Sequence, residues 1–454
     1  MYTDYKNINN ISNIFFKLDK WSDKTIKESL LGNFKPLIKA IPQFKSLNTL
    51  LIISLGILFT SLILPQFAND RFGIGIIVII CSLTFFASLK FHKISFNTID
   101  FFILLFCLIA TVSTFSSYFL KESLMGLFKY FIFFLGYFVL KFTLLNSSHK
   151  QFISLWYFLF VCGAIVSFIG IYQYIIGVEP LATWEDTNSE NIHSRVYSTL
   201  GNPNLLAGFL LPILPLSIVL PFKINCNLFM RLLSLLCSGA MLACIMFTGS
   251  RGGYIGLIAG FTIGLIAYVI FFIKSNRKIK KRYLIGFIFT GLITLSIAAY
   301  FLFPIFIERL STIFTIREHS SNSYRVNVWL ACLKMLKDNW IIGIGPGNNT
   351  FRLSYGLYMI SGFDALGAYN IFLEFAIETG IFGCLSFLCI FLISFLKLHY
   401  IFWKDGELMA LGIFISLVAL LTHGIVDTVF FRPQVFIPYW FLIASVAKLD
   451  DIKV

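Results

Sequence analysis

Charged side chains are scarce in this sequence: Asp, Glu, Lys and Arg make up 13% of its 454 residues, whereas hydrophobic residues make up 58%. With 53 Phe and a mean hydropathy of +0.84, a soluble domain of this composition would expose enough apolar surface to aggregate. The composition therefore excludes a soluble globular protein. It predicts an all-α polytopic integral membrane protein.

Paired cysteines and clustered carboxylates are also missing. The nine Cys show no metal-ligand or redox spacing and lie mostly within apolar runs, so we interpret them as small buried hydrophobic residues. No group of acidic residues offers the oxygen ligands that a divalent cation prefers. We therefore expect neither a metal nor another cofactor.

The sequence also lacks a complete nucleotide-binding loop. Gly343-Ile344-Gly345-Pro346-Gly347 lacks the Lys followed by Ser or Thr that closes such loops, and no parallel strand is expected before it. We reject ATP binding at this stretch. Its expected role is a tight turn that positions Asn348, Asn349 and Arg352.

Acidic residues number 22 against 36 Lys and Arg, which gives a formal charge of +14. This excess does not indicate a nucleic-acid partner, because the basic residues lie mainly in short loops between apolar runs. The positive-inside rule accounts for them better and puts both termini in the cytoplasm. The 177–199 and 306–368 loops then face outward.

Twelve apolar runs are each close to the roughly 20 residues that a helix needs to cross a bilayer. We predict a cytoplasmic tail over 1–48, nine spans within 49–305, one large outward loop over 306–368 and three spans within 369–449. The predicted spans are 49–66, 72–89, 99–117, 124–145, 152–176, 200–221, 230–249, 252–273, 284–305, 369–396, 407–431 and 433–449.

The segment from Ser320 to Gly380 is the only long stretch far from both ends of the sequence that lacks the composition of a membrane span. Arg325, Trp329, Lys334 and Lys337 recur at helical spacing before the glycine-rich turn ends the helix. We predict a surface element that folds over the ends of the spans and forms the working part of the protein.

Two short motifs at the outward ends of spans could bind an anion. In TLGNPNLLAG (199–208), Asn202 and Asn204 flank a Pro, where they either cap a helix or help to hold an anion at its start. In Ser250-Arg251-Gly252-Gly253, the Arg either snorkels to the membrane surface or binds a phosphate-like group. Arg325 could likewise bind an anion, or it could simply cover the surface of its helix.

Acidic and basic residues recur four apart in the last spans. Glu374 and Glu378 share one helix face, and His423 and Asp427 share another, followed by Arg432. They form either a neutralised structural network or a proton relay with a general base.

The order of four motifs resembles the O-antigen ligase-like family: GNPNLLAGFLLP, TGSRGGYIGL, RVNVWLACLKMLKDNWIIGIGPGNNTF and AYNIFLEFAIETGIFG. Within that family the chain is most similar to the cyanobacterial IctB branch of bicarbonate transporters, through GFDALGAYN and HGIVDTVFFRPQ. The resemblance covers roughly 200–450, and the first half only by topology.

The resemblance implies an inner-membrane glycosyltransferase whose outward arginines hold the diphosphate of a polyprenyl-linked glycan while a loop His assists a glycan acceptor. Arg251 and Arg325 match the two family arginines. The family His is absent, because this chain has Ala368-Tyr369-Asn370. A Tyr with a pKa near 10 is a poor base. Either Tyr369 only positions a substrate, or Glu374 or His423 substitutes, or ligation is lost.

Two hypotheses follow, a metal-independent glycan ligase or polymerase and a carrier or accessory component for bicarbonate. A carrier needs a polar path to the cytoplasmic face, where we expect few polar residues beyond loop lysines, so we favour the first. The candidate catalytic residues are Arg251, Arg325, Tyr369, Glu374 and His423. The candidate substrate-binding residues are Asn202, Asn204, Arg352, Asn370, Glu378, Asp427 and Arg432. The expected partners are membrane lipids together with either a polyprenyl-diphosphate glycan and a glycan acceptor or bicarbonate. We expect no nucleic-acid partner.

Overall fold

The computed structural model describes residues 14, 17–28, 47–64, 71–88, 94–179, 195–222, 227–274 and 321–451. Within these ranges the chain is helical and contains no β-strand. The predicted ninth span (284–305) lies outside the described residues, as do 306–320 of the predicted outward loop. Much of the predicted tail lies outside them as well.

The main helices are numbered in chain order. They are α1 (Leu47–Ser61), α2 (Arg71–Ser88), α3 (Thr98–Phe115), α4 (Leu120–Asn146), α5 (His149–Ile176), α6 (Pro203–Leu210), α7 (Leu214–Val219), α8 (Leu228–Phe247), α9 (Arg251–Lys274), α10 (Ser321–Asn339), α11 (Asn348–Tyr355), α12 (Ile371–Asp405), α13 (Leu408–Gly424) and α14 (Pro433–Asp451).

In the described part of the chain, seven helical stretches are long and apolar enough to cross a membrane, and three shorter apolar helices accompany them. The prediction of a multi-pass helical membrane protein is confirmed at this level. The apolar runs also located the helix ends closely: α5 was predicted at 152–176 and α9 at 252–273. This agreement arises because bilayer thickness sets the length of an apolar run.

The predicted span at 200–221 is broken in its middle. Residues 211–213 form a turn between α6 and α7, next to Pro212 and Pro215. A Pro removes one helical N–H donor and clashes with the preceding turn, so a carbonyl is released. The Pro212 carbonyl accepts a hydrogen bond from the Ser416 hydroxyl at 2.9 Å. A side chain of α13 thus donates a hydrogen bond at the break, where lipid would offer no partner.

Helices α9 and α13 are packed closely along a stripe of glycines. An added Cβ at Gly256 would lie 2.5 Å from the Ala419 carbonyl oxygen, and one at Gly260 would lie 2.8 Å from that of Ile415. At Gly252 the same Cβ would lie 2.6 Å from Cδ2 of His423. Small residues four apart permit such backbone contact in membranes. The start of α9 is therefore held against the end of α13.

The segment 321–370 folds into two helices, and the first of them packs against α12. The sequence predicts the first helix and the glycine-rich turn, but not the second helix, α11. Helix α10 ends at Asn339, and Gly343 and Gly345 follow with φ of +82° and +97°. The segment has a small apolar core of its own, separate from the membrane core, which includes Val328, Cys332, Met335, Phe351, Tyr355 and Ile377. The two helices are thus joined into one folded unit.

Polar side chains meet at the opposite end of the bundle in what we call the lysine cluster: Asp19, Asp100, Lys141, Lys397 and Asp450. The Lys397 amine lies 2.5 Å from an oxygen of Asp19 and 2.7 Å from one of Asp450. Lys141 pairs with Asp100. Helix α12 is kinked at Gly380, and Lys397 lies about 25 Å along the helix beyond that kink. The expectation of almost no polar residues beyond loop lysines at the inner ends omitted Asp19, Asp100 and Asp450.

A layer of aromatic rings fills the middle of the bundle between that cluster and the loop. Phe106 contacts the rings of Tyr130, Phe134, Phe375 and Phe387 at centroid distances of 5.5 to 6.1 Å. Helix α14 extends the layer through Phe436, Tyr439 and Trp440. The two ends of the bundle are thus separated by densely packed apolar side chains.

Candidate functional site

Asp427 is the centre of a polar group that we call the arginine cluster: Arg195, Asn204, Arg325, His423 and Asp427. One oxygen of Asp427 accepts a hydrogen bond from the Asn204 side-chain nitrogen at 2.7 Å and lies 3.8 Å from Nη2 of Arg325. The other accepts the Val429 N–H at 3.0 Å. The acidic residue after α13 thereby connects α6 with the loop helix α10.

Arg195 extends the cluster through Asn204. Its Nη2 donates to the Asn204 side-chain oxygen at 2.8 Å, and its Nε donates to the Thr248 carbonyl at 2.8 Å. Thr248 follows α8, directly before the turn that leads to Arg251. Arg195 is therefore fixed against the same turn that begins α9.

His423 lies at the junction of α9 and α13, beside Gly252 and hence beside Arg251. Its side chain is buried, with 2% of the residue exposed. The distance from an added Cβ at Gly252 to Nε2 of His423 would be only 3.2 Å, so no residue larger than glycine fits without displacing the ring. Gly252, which follows Arg251 in sequence, and Arg325 thus contact the two ends of the same short segment, 423–427.

Two buried nitrogens beside this segment, Nε of Arg325 and Nε2 of His423, lack a hydrogen-bond partner among the described residues, and so does Nε1 of Trp329 on the same helix as Arg325. Arg325 and Trp329 are four apart on α10 and share one face of the helix. A buried donor without a partner costs about 1–3 kcal/mol, and such groups are rare in native proteins. Arg325 lies beside Asp427, and His423 is four residues before it, so a polar ligand bound here could satisfy their unpartnered nitrogens.

Tyr369, which occupies the position of the expected His, lies directly beneath Arg325. The guanidinium carbon of Arg325 is 5.9 Å from the centre of the Tyr369 ring, and the Tyr324 ring packs on its edge at 6.2 Å. Tyr369 lies in the loop, before α12 begins at Ile371, with a φ of +50°. Burial, reinforced by Tyr324 and Asp427, raises the pKa of Tyr369 to about 12.

Glu374 and Glu378 hold the two ends of a loop rather than facing Asp427. Glu374 accepts the Ala368 N–H at 2.9 Å. Glu378 accepts the Gly347 N–H at 2.9 Å and the Tyr130 hydroxyl at 2.5 Å. Both residues are almost fully buried, and the charge of Lys129 acts on both. Their spacing does place them on one face, but there they fix the backbone of 347–368.

Four other candidates lie at the edges of the site. Asn202 caps α6 by accepting the Leu205 N–H at 3.0 Å, and Asn370 caps α12 by accepting those of Phe372 and Leu373 at 3.0 Å. Arg352 lies 3.6 Å from Asp364, and both side chains are exposed. Arg432 is exposed immediately before α14. Of the two asparagines in GNPN, only Asn204 reaches the arginine cluster.

Sequence reasoning missed Arg195, Trp329 and Lys129. Arg195 lies nine residues before Asn204 in HSRVYSTLGNPN, on the loop already predicted to face outward, and its charge beside an anion-binding motif was a usable signal. Trp329 was noted only for its helical spacing. Lys129 was assigned to the interior of a span, where an ionisable residue usually has a partner or a function.

Among the described residues, no group of three or more His, Cys, Asp or Glu side chains converges in a way that could hold a metal ion. The comparison with curated proteins found no match. A model of the Wzy_C family, described as O-antigen ligase, matches residues 236–388. That stretch contains Arg251, Arg325, Tyr369 and both glutamates, whereas Asn204, His423 and Asp427 lie outside it. The match supports placing this part of the chain in the O-antigen ligase-like family.

Proposed function

We propose that the protein transfers a glycan from a polyprenyl-diphosphate donor to a hydroxyl of a glycan acceptor at the outer face of the inner membrane. The observation that carries this proposal is the approach of Arg325 to Asp427 beside the unpartnered nitrogens of Arg325 and His423, with Gly252, next to Arg251 in sequence, against the His423 ring. A diphosphate carries more negative charge than one guanidinium can balance. Arginine is suited to it because its fork binds two phosphate oxygens at once.

Each residue has a distinct role in this reaction. Arg251 and Arg325 hold the diphosphate, and Arg195 with Asn204 keeps Asp427 and the α9 turn in place. The acceptor oxygen bonds to the anomeric carbon while the bond from that carbon to the phosphate oxygen breaks. The electron pair leaves with the polyprenyl diphosphate, whose charge the arginines stabilise. The acceptor's proton passes to a base.

His423 is the strongest candidate for that base, because its Nε2 is unpartnered and its ring lies beside Arg251. Glu374, Glu378 and Asp427 already accept backbone or side-chain hydrogen bonds. Tyr369 remains protonated at neutral pH, since its pKa is near 12. We assign Tyr369 to positioning Arg325 and the substrate.

A transfer assay tests the proposal. Purified protein is mixed with a polyprenyl-diphosphate glycan and a hydroxyl acceptor, and the product is detected by mass spectrometry. Arg251→Ala and Arg325→Ala are each expected to abolish transfer. The matched control is Arg231→Ala, because Arg231 lies near the start of α8 over the Phe222 ring, away from the cluster. Equal activity in all three variants would contradict the proposal.

The outward orientation can be tested without substrate. A cysteine placed at Asn349, on the loop helix α11, should react with a membrane-impermeant reagent added from outside. A cysteine at Asn276, in the basic stretch after α9, should react only after the membrane is opened. The reverse labelling pattern would put the arginine cluster on the wrong face for a lipid-linked donor.

The alternative is a carrier for a small anion such as bicarbonate, as the IctB resemblance implies. One observation favours it: the lysine cluster provides charged groups at the other end of the bundle. The aromatic layer between the two clusters argues against it, since an anion needs a polar path. Uptake of bicarbonate by proteoliposomes without any glycan transfer would favour the carrier.

A further inference from the structure

The loop segment 321–370 exposes apolar side chains along one edge, although it is not a spanning helix. Trp340 and Ile341 follow α10, and Leu357 and Ile360 follow α11. All four are exposed, and Leu357 is 80% exposed. Isolated exposed apolar residues are common on soluble surfaces, but a continuous apolar patch marks a contact with another apolar phase.

These two stretches belong to one surface. The Tyr358 hydroxyl donates a hydrogen bond to the Asp338 carboxylate at 3.0 Å, which holds the end of α11 against the end of α10. Tyr118, in the turn between α3 and α4, is close enough to Tyr358 to act on it electrostatically, and is itself 96% exposed. We call this surface the apolar rim: Phe115, Tyr118, Trp340, Ile341, Leu357 and Ile360.

A groove directly below the rim shows how deep the rim lies relative to the end of the spanning helix α3. Ile341 and Ile342 line an apolar groove of about 470 Å³ together with residues of α3 and α12, including Ile109, Val112 and Phe382. Because α3 ends at Phe115, Val112 and Ile109 lie about 5–9 Å below its end. The isoleucines of the loop therefore lie level with the membrane-embedded part of a spanning helix.

The chemistry of the rim matches that of a bilayer interface. Trp and Tyr are enriched at the level of the lipid headgroups, where the ring is in an apolar layer and its polar atom reaches water. The exposed face of α4 just below, with Leu124, Met125 and Phe128, continues the same apolar surface into the span. The rim is thus continuous with the exposed apolar face of a helix long and apolar enough to cross a membrane.

We propose that the apolar rim lies in the outer leaflet of the membrane and attaches the loop 321–370 to bilayer lipid. Bilayer lipid is the occupant of the groove below it. The loop is then held from two sides. Glu374 and Glu378 bind its backbone from the protein side, and lipid contacts its outer edge. This attachment does not depend on which reaction the arginine cluster performs.

Spin labelling of the full-length protein in nanodiscs of phosphatidylethanolamine and phosphatidylglycerol tests this proposal. A nitroxide is attached to Leu357→Cys or to Ile360→Cys, and its collision rates with oxygen and with a water-soluble nickel chelate are measured. The control is Asp364→Cys, an exposed charged position of the same loop, whose side chain lies 3.6 Å from Arg352. Unsubstituted protein gives the background from native cysteines.

We expect the ratio of oxygen to nickel collisions to be several-fold higher at Leu357 and Ile360 than at Asp364. Nitroxide-labelled lipid should broaden the spectra of the first two labels only. A nickel accessibility at Leu357 equal to that at Asp364 would overturn the proposal, because the rim would then face water. Low accessibility to both reagents would also overturn it, since protein would then cover the rim.

Discussion

The two polar clusters of this protein lie at opposite ends of the bundle, on different helices, and differ in how completely their charges are satisfied. In the lysine cluster, Lys397 lies between two carboxylates, and Asp100 accepts from Lys141, from the Tyr137 hydroxyl and from the Asn97 N–H. In the arginine cluster, Arg325 lies 3.8 Å from Asp427, and Nε of Arg325 and Nε2 of His423 have no hydrogen-bond partner among the described residues.

The comparison distinguishes a structural network from a binding site by whether the buried polar groups have partners, not by which residue types are present. A buried charge is tolerated when its pairing is complete, and removal of one partner is then costly. Buried donors that remain without a partner are costly as they stand, and a ligand that accepts their hydrogen bonds removes that cost. The lysine cluster fits the first description and the arginine cluster the second.

The largest expected effect is at His423. If its Nε2 takes the acceptor's proton, His423→Gln should lower kcat for glycan transfer by about 10²–10⁴-fold, because general base catalysis contributes about that much. Binding of the donor should be nearly unchanged. The matched control is His399→Gln, since His399 lies beside Trp403 at the far end of α12. Full activity in His423→Gln would exclude this base.

The comparison predicts the opposite phenotype for the lysine cluster. Lys141→Met should destabilise the fold by about 3–5 kcal/mol, because it leaves the buried Asp100 without its ion pair. The apparent Tm in detergent should fall, whereas folded protein should keep its specific activity. Lys404→Met, at the exposed end of α12, is the control. The second change Asp100→Asn should restore part of the lost stability. A selective loss of transport or transfer with an unchanged Tm would instead make this cluster functional.

Arg325→Lys should produce an intermediate effect. Lysine keeps the positive charge but loses the planar fork, so we expect donor affinity to fall by about tenfold, or 1.4 kcal/mol. Arg231→Lys provides the matched comparison outside the cluster. Equal donor affinity in the native protein and Arg325→Lys would show that Arg325 acts only as a point charge.

The smallest effect is expected at Tyr369. With its pKa raised to about 12, the phenol stays protonated until the pH passes that value. The transfer rate measured between pH 6 and 9 should therefore show no titration of Tyr369. Tyr369→Phe should leave the shape of this pH dependence unchanged and lower the rate only mildly. Tyr369→His should preserve or raise transfer. A large rate loss in Tyr369→Phe would assign the phenol a direct role.

Much of the fold could be predicted from the sequence because bilayer thickness and glycine geometry act locally. Apolar runs located the ends of α5 and α9 within a few residues, and GIGPG marked the end of α10. The break at 211–213 was missed, although Pro212 and Pro215 signalled it. Arg251, Arg325 and Asn204 were identified as candidates from their positions at outward ends of spans and from the family resemblance.

The partners of these residues were decided only by the tertiary structure. Arg195, Asn204, Arg325 and Asp427 are separated by up to 232 positions, and no local pattern encodes which of two asparagines reaches an aspartate. The carboxylates of Glu374 and Glu378 bind backbone N–H groups, which every residue except proline carries and which leave no trace in a sequence. Helix positions follow from short-range hydrophobicity, whereas pairing and burial follow from how α6, α9, α10 and α13 pack together.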